Sequence, residues 1–204
     1  LVARSASCMC THPSLPAKNI REFVALAKSR PGRINYATPG VGTVGHLAIE
    51  LFSTSAGIKL NHVPYKGAAQ YTVDLLAGHI EMAQIQFAGS APLVKQDKLR
   101  CLGVTSSSRT PLLPDVPTIA EQGIKGFSSY NWNGLLAPAA TPRAIIARIH
   151  EVVAKQLKTP EAHELFVGQG HEIGSEGPDE YAAFLKAETE KWAKVAQAAG
   201  IPKQ

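Results

Sequence analysis

An α/β fold in two lobes is predicted by three features of the sequence. Short apolar runs of strand type alternate with amphipathic helical runs over residues 15–100. Gly- and Pro-containing turns join them, a pattern that implies parallel strands with crossover helices. After Thr105 a polar, turn-forming run, Ser106-Ser107-Ser108-Arg109-Thr110-Pro111, breaks the alternation and reads as a crossing between lobes.

The first helix opens at Asn19, with Glu22 in capping-box position, and carries Ile20, Phe23, Val24 and Ala27 on one face until Pro31-Gly32 ends it. A strand over residues 34–37 leads through Thr38-Pro39-Gly40-Val41-Gly42-Thr43 into a helix with the apolar stripe Val44, Leu47, Ala48, Leu51 and Phe52, closed by Gly57. The next unit is a strand over 60–63, the turn Pro64-Tyr65-Lys66-Gly67 and a helix over 68–76 stopped at Gly78. A third has a strand over 80–85, a turn over 86–89, a helix from Ser90 to Gln96 and a closing strand over 99–105. In the C-terminal part a strand is expected over 128–137. One helix there starts at Thr141-Pro142, with Thr141 as N-cap, and buries Ile145, Ile146, Ile149, Val152 and Val153. The other starts near Pro178 and buries Tyr181, Phe184, Leu185, Trp192 and Val195.

Composition narrows the function. With 45% apolar and 18% charged residues, the 204-residue chain lies in the ordinary globular range. No stretch approaches the roughly 20 consecutive apolar residues of a membrane-crossing helix. The net charge of +5 is spread thinly, with no basic run or aromatic interleaving suited to nucleic acid. Cys8, Cys10 and Cys101 have no zinc-type spacing, so no metal site is expected; Cys8 and Cys10 are read as strand residues facing apart, unable to bridge to each other. The sequence begins at Leu1 without a charged and apolar leader, so any export signal is expected to lie outside it.

The most informative segment runs from Thr38 to His46. A strand ending in a Gly-rich turn that opens a helix aims unpaired backbone N–H groups at one point, where an anion can sit. Gly40, Gly42 and Gly45 also satisfy the literal G-x-G-x-x-G pattern. A dinucleotide reading needs an acidic residue about 20 positions on. Here Pro64-Tyr65-Lys66-Gly67 stands there, so no nucleotide cofactor is expected. The seven His residues are scattered and no G-x-S-x-G elbow exists, so no catalytic residues are assigned. His46 is read as a packed or capping residue, His62 as structural and Trp132 as core.

Further stretches carry a family resemblance: His12-Pro13-Ser14-Leu15-Pro16-Ala17, Ile34-Asn35-Tyr36-Ala37 with its Gly-rich loop to His46-Leu47, and His62-Val63-Pro64-Tyr65-Lys66-Gly67. Lys98-Leu99-Arg100, Leu113-Pro114-Asp115-Val116-Pro117-Thr118 and Gly134-Leu135-Leu136-Ala137-Pro138 follow in order. The chain resembles the substrate-binding receptors of tripartite tricarboxylate transporters, also called Bug or TctC receptors. The resemblance implies a periplasmic-binding-protein fold of type II, with two lobes of mixed and parallel sheets. It implies a non-catalytic periplasmic receptor that holds a small carboxylate (a di- or tricarboxylate, an acidic amino acid or an aromatic carboxylate) and presents it to membrane permease subunits. The implied ligand-binding residues are Thr38, Gly40, Val41, Gly42, Thr43, Tyr65, Lys66, Gly67, Gln84, Ile85 and Gln86, with Phe87 ending the third turn; no cofactor or nucleic acid is implied.

Two departures from the family pattern matter. Members open with a further βα segment, so the implied division is a nearly whole second lobe over residues 11–105 and the C-terminal part of a first lobe over 1–10 and 106–204. An incomplete first lobe would expose apolar faces and favour self-association. Gln84-Ile85-Gln86 also stands where many members carry an acidic residue, which would lessen repulsion of anions. The alternative is the ligand-sensing domain of a transcriptional regulator of the same architecture; that requires a helix-turn-helix, and none is present in this sequence.

Overall fold

The computed structural model describes residues 1–174 and 176–201. Two sheets are present among them. The larger, of five strands, has the order β4-β3-β5-β2-β6 and the smaller, of three, the order β7-β1-β8. The larger comprises β2 (Ser7–Thr11), β3 (Asn35–Thr38), β4 (Asn61–Pro64), β5 (Met82–Gln86) and β6 (Arg100–Val104). The smaller comprises β1 (Ala3–Ser5), β7 (Asn131–Asn133) and β8 (His171–Ile173), all antiparallel. Strands β3, β4 and β5 run parallel, joined by α2 (Val44–Ala56) and α3 (Ala68–Leu76). Strand β2 runs antiparallel to both β5 and β6. The sheet is therefore mixed, with β2 wedged into an otherwise parallel array.

Alternation along the strands builds two cores. Cys8, Cys10, Ala83 and Ile85 pack with Tyr71 and Leu75 of α3 and with Phe87 and Ala91 of α4 (Phe87–Lys95). Met9, Tyr36, Met82 and Leu102 pack with Ile20 and Phe23 of α1 (Ile20–Ser29) and Ile49 and Phe52 of α2. Burying each of the larger aliphatic and phenyl side chains among them contributes about 1.5–3 kcal/mol. Because residues two apart on a strand face the same way, Cys8 and Cys10 share a face, contrary to the sequence reading. Cys101, across from Cys10 on β6, joins them, and all three are free, buried thiols.

Several boundaries differ from expectation. The helix α1 is capped as read, with Glu22 N–H donating to Asn19 Oδ1 at 2.9 Å. In α2 the buried stripe is His46, Ile49, Phe52 and Ala56, while Val44 is exposed. Helix α4 opens at Phe87 directly from β5, so residues 86–89 form no separate turn.

The crossing between lobes also lies elsewhere. After Thr105 the chain stays against the large sheet: Ile119 N–H donates to Val104 O at 3.0 Å, and Ile119 and Phe127 sit in the core beside α1 and α2. It leaves only past Ser129, whose N–H donates to Thr105 O at 2.9 Å. Residues 7–10 likewise belong to the large sheet, because apolar side chains on both faces of β2 are covered there.

The smaller lobe adds α5 (Arg143–Leu157), α6 (Pro160–Gly168) and α7 (Pro178–Ala198). Helix α6 and strand β8 had no counterpart in the sequence reading; Pro160 at the first helical position after Thr159, whose Oγ1 caps Ala162 N–H, was the available signal. Helix α5 starts one residue later than expected, without a side-chain cap. Its apolar stripe is not buried: Ile145 and Val152 are half exposed and Ile149 is 44% exposed. Trp132, expected in the core, is only partly buried and packs edge-on against Tyr181 and Phe184 of α7.

Thr105 joins the lobes. Its Oγ1 accepts from Ser7 N–H at 2.9 Å and donates to Ser129 O at 2.8 Å, on the two segments that pass between sheets. Thr105→Val keeps the shape but leaves both groups unpaired, and is expected to destabilise the protein by about 1–3 kcal/mol in urea unfolding. The buried thiols are expected to resist a water-soluble disulfide reagent in the native state and to react fully once unfolded.

Candidate functional site

A cavity of about 840 Å³ lies at the carboxyl ends of β3 and β5 and beside the start of α3. Neighbouring β3 and β5 send their chains to opposite sides, outward to β4 and back past β2, which makes this the switch point of the sheet. Its walls are the start of α2 (Gly42, Thr43, Val44, Gly45), the first turns of α3 (Ala68, Ala69, Tyr71, Thr72), and the end of β5 with Gly89. Ser7 and Asn131 close it from the inter-lobe segments, and Pro39 completes the rim. None of these side chains carries a formal charge.

The loop after β3 is tied down by its own side chains. Gly40 has φ 146° and Gly42 φ 76°, in the region that disfavours any residue with a Cβ. Thr38 Oγ1 donates to Gly40 O at 3.1 Å, and Thr43 Oγ1 donates to the same oxygen at 2.8 Å. Two loop amides are spent internally: Gly40 N–H on Thr38 Oγ1 at 3.3 Å, and Gly42 N–H on His46 Nδ1 at 3.1 Å. The N–H groups of Thr43, Val44 and Gly45, and those of Gly67, Ala68 and Ala69 at the head of α3, have no partner among the described residues. Each helix start carries a partial positive charge of about half an elementary unit. Two such ends facing one uncharged cavity make an anion-binding arrangement that needs no Lys or Arg.

The residues expected from sequence are distributed unevenly around this cavity. Gly42, Thr43, Gln84, Ile85 and Gln86 line it. Thr38 is buried beneath the loop, where its carbonyl accepts from Tyr65 N–H at 2.9 Å. Gly40 shapes the turn and Val41 is exposed outside the lining. Tyr65, Lys66 and Gly67 also lie off the lining. The Tyr65 hydroxyl turns away to donate to Asp74 at 2.6 Å, a hydrogen bond that raises its pKa to about 12. Lys66 is exposed, and its N–H is taken by Gln70 at 3.3 Å. Ala68, Ala69, Tyr71, Thr72, Ser7 and Asn131 were not singled out from sequence. Nothing in an Ala-Ala pair signals a site; only its place at the first turn of a helix does. Gln84 Oε1 is buried without a partner, while Gln84 O accepts from the Tyr71 hydroxyl at 3.1 Å.

An aromatic stack supports the loop from below. The His46 and His62 rings lie 4.0 Å apart and near-parallel, with Tyr36 stacked on His62 at 4.9 Å and bonded through its hydroxyl to Glu50. Burial, and then the neighbouring His46, push His62 down to about 4; burial also lowers His46, against the pull of Glu50.

Residues 1–201 match the family described as Tripartite tricarboxylate transporter family receptor. Among curated relatives, the UPF0065 protein in the tcbD-tcbE intergenic region of Pseudomonas sp. (strain P51) is 35% identical over 87% of this chain and 53% of its own length. Protein BugT of Bordetella pertussis is 31% identical over 94% of this chain and 59% of its own. The chain thus spans little more than half the length of these relatives. The solved structure of R. palustris Rpa4515 with adipate superposes with a TM-score of 0.84 at 33% identity, covering 98% of this chain and 67% of that one. The periplasmic binding protein BugD superposes with a TM-score of 0.83 at 29% identity, over 100% and 69%.

Because His62 titrates near 4 in the folded protein against an ordinary 6.5, the unfolded chain binds the extra proton more readily. The stability this neutral ring confers is complete above pH 6.5 and is lost as pH falls from there towards 4. The thermal midpoint is expected to decline over that window, and His62→Gln to flatten the decline, as measured by calorimetry in a pH series. With this fold and this sequence match, the chain belongs to the tripartite tricarboxylate transporter receptor family.

Proposed function

We propose that the protein is an extracytoplasmic, periplasmic solute-binding receptor that holds a small carboxylate in the cavity between its lobes and presents it to the permease subunits of a tripartite tricarboxylate transporter. The observation that carries this reading is that the starts of α2 and α3, whose first amides have no partner among the described residues, both line a cavity without a fixed charge. A carboxylate oxygen accepts from such amides with charge-assisted strength, about twice that of a neutral hydrogen bond. No lining carboxylate opposes it, since Gln84 and Gln86 occupy the end of β5. The family supports the same reading, as does the adipate in the Rpa4515 structure, a dicarboxylate in a relative of 33% identity. The kind of groups lining the cavity, amides, hydroxyls and small apolar side chains, supports a binding role for it.

Uncharged recognition also suits a transport receptor, which must release what it binds. Helix ends and amides give specificity for an anion without the deep electrostatic well of a buried Arg pair. The contact of Ser7 and Asn131 with the cavity places the inter-lobe segments where lobe movement would change its size.

Calorimetric titration and thermal shift against adipate, citrate and glutamate, with a diamine and a diol as controls, test this reading. A true ligand raises stability by about 2.7 kcal/mol at a hundredfold excess over Kd. Ala69→Asp adds a negative charge at the first turn of α3, where it favours the helix but repels an anion. The variant is expected to fold and to lose the carboxylate response. Equal shifts with the diamine, or an unchanged response in the variant, would sink the proposal.

A further inference from the structure

The stack under the loop holds two of its backbone segments through ring nitrogens. Gly42 N–H donates to His46 Nδ1 at 3.1 Å, so that nitrogen carries no proton and the neutral ring keeps its hydrogen on Nε2. His62 Nε2 lies 2.7 Å from Thr38 Oγ1. Since that hydroxyl gives its hydrogen to Gly40 O, its oxygen accepts from His62 Nε2–H. Each imidazole therefore plays one fixed role, acceptor for His46 and donor for His62, and the acceptor role of His46 requires the uncharged ring.

We infer that His46 and His62 are positioning residues for the anion-facing loop, a neutral stacked pair that fastens Gly42 and Thr38, and that a proton on His46 unfastens the loop and weakens ligand binding. The inference rests on the receptor reading for its ligand. A proton added to His46 must enter at Nδ1, the ring's remaining lone pair, where it faces Gly42 N–H donor to donor. It also sets a positive ring 4.0 Å from His62, whose own protonation it opposes.

The surroundings decide how readily this happens. Burial disfavours the charged form of His46, and Glu50, one turn further along α2, favours it. Tyr36 on β3 and His62 on β4 present neutral rings, and the Tyr36 hydroxyl engages Glu50. Helix α7 packs on α2, and there Glu188 and Lys191 are paired with each other at 3.3 Å, with Glu188 also accepting from Trp192 and Lys191 donating to Ser128 O. Moving Gly42 moves the start of α2, because Thr43 caps that helix and shares Gly40 O with Thr38.

The test has two arms on the whole chain. In the first, nitrogen-15 NMR follows the His46 ring and the Gly42 amide from about pH 7.5 to about pH 5, across the range in which histidines titrate. The Gly42 resonance is expected to shift with the His46 titration, and in His46→Gln, whose amide oxygen can accept from Gly42 without titrating, to stay still. In the second, adipate affinity is measured at both ends of that range. The wild type is expected to lose severalfold more affinity than His46→Gln, within the roughly tenfold limit that one unit of pKa difference between free and bound protein sets. Adipate's own protonation is common to both proteins and cancels. His46→Ala is expected to bind weakly throughout, and His46→Gln to recover most of that loss. A Gly42 amide indifferent to His46, or equal pH profiles in wild type and His46→Gln, overturns the inference. If adipate binds at no pH, the receptor reading is in question, and the Gly42 resonance alone decides whether the pair fastens the loop.

Discussion

The architecture depends on one extended run of chain, β1 through Ala6 into β2, that belongs to both sheets. As β2 it is the fourth strand of the large sheet, buried on both faces and bonded to β5 and β6. As β1 it is the central strand of the small one. Since β2 runs antiparallel to β5, its first residue, Ser7, pairs with Gln86 at the end of β5. That register brings the small lobe to the edge of the large sheet at which the parallel strands finish and their helices begin. The return segment is tied in by Thr105, which bonds both Ser7 and Ser129. The cavity is thus a consequence of strand direction.

Two helix starts contribute to the cavity's wall. Helices α2 and α3 start here, and their first N–H groups have no carbonyl within their own helix to bond. A ligand that displaces water from such donors must supply acceptors in its place, which is why an anion fits. The loop before α2 reserves two of its amides for itself, and the side chains that take them, Thr38 and His46, are buried. Rigid placement of the free amides depends on that internal bonding. The neutral histidine stack belongs to the same economy of groups: an imidazole can accept from a backbone amide only while uncharged.

The α5 stripe is where pattern and packing part. Ile145, Ile146, Ile149, Val152 and Val153 recur at helical spacing, and the helix forms, yet much of that face is open beside Leu135 and Leu136. Periodicity reports that a face is apolar. It does not report what covers it.

Much of the large lobe was legible because its signals are local. Asn19 with Glu22, Gly57 and Gly78 after helices, and Gly40 with Gly42 before one act within a turn, through caps and positive φ, and need no distant partner. Such local signals specify the strand-helix alternation and the loop that opens α2. Tertiary structure alone decided that the chain leaves the large sheet past Ser129, that Cys8, Cys10 and Cys101 meet, and that Ala68 and Ala69 face the cavity while Tyr65 and Lys66 turn away. These outcomes are set by strand order and direction, which arise from contacts between residues far apart along the chain and leave no mark in the spacing of any one segment.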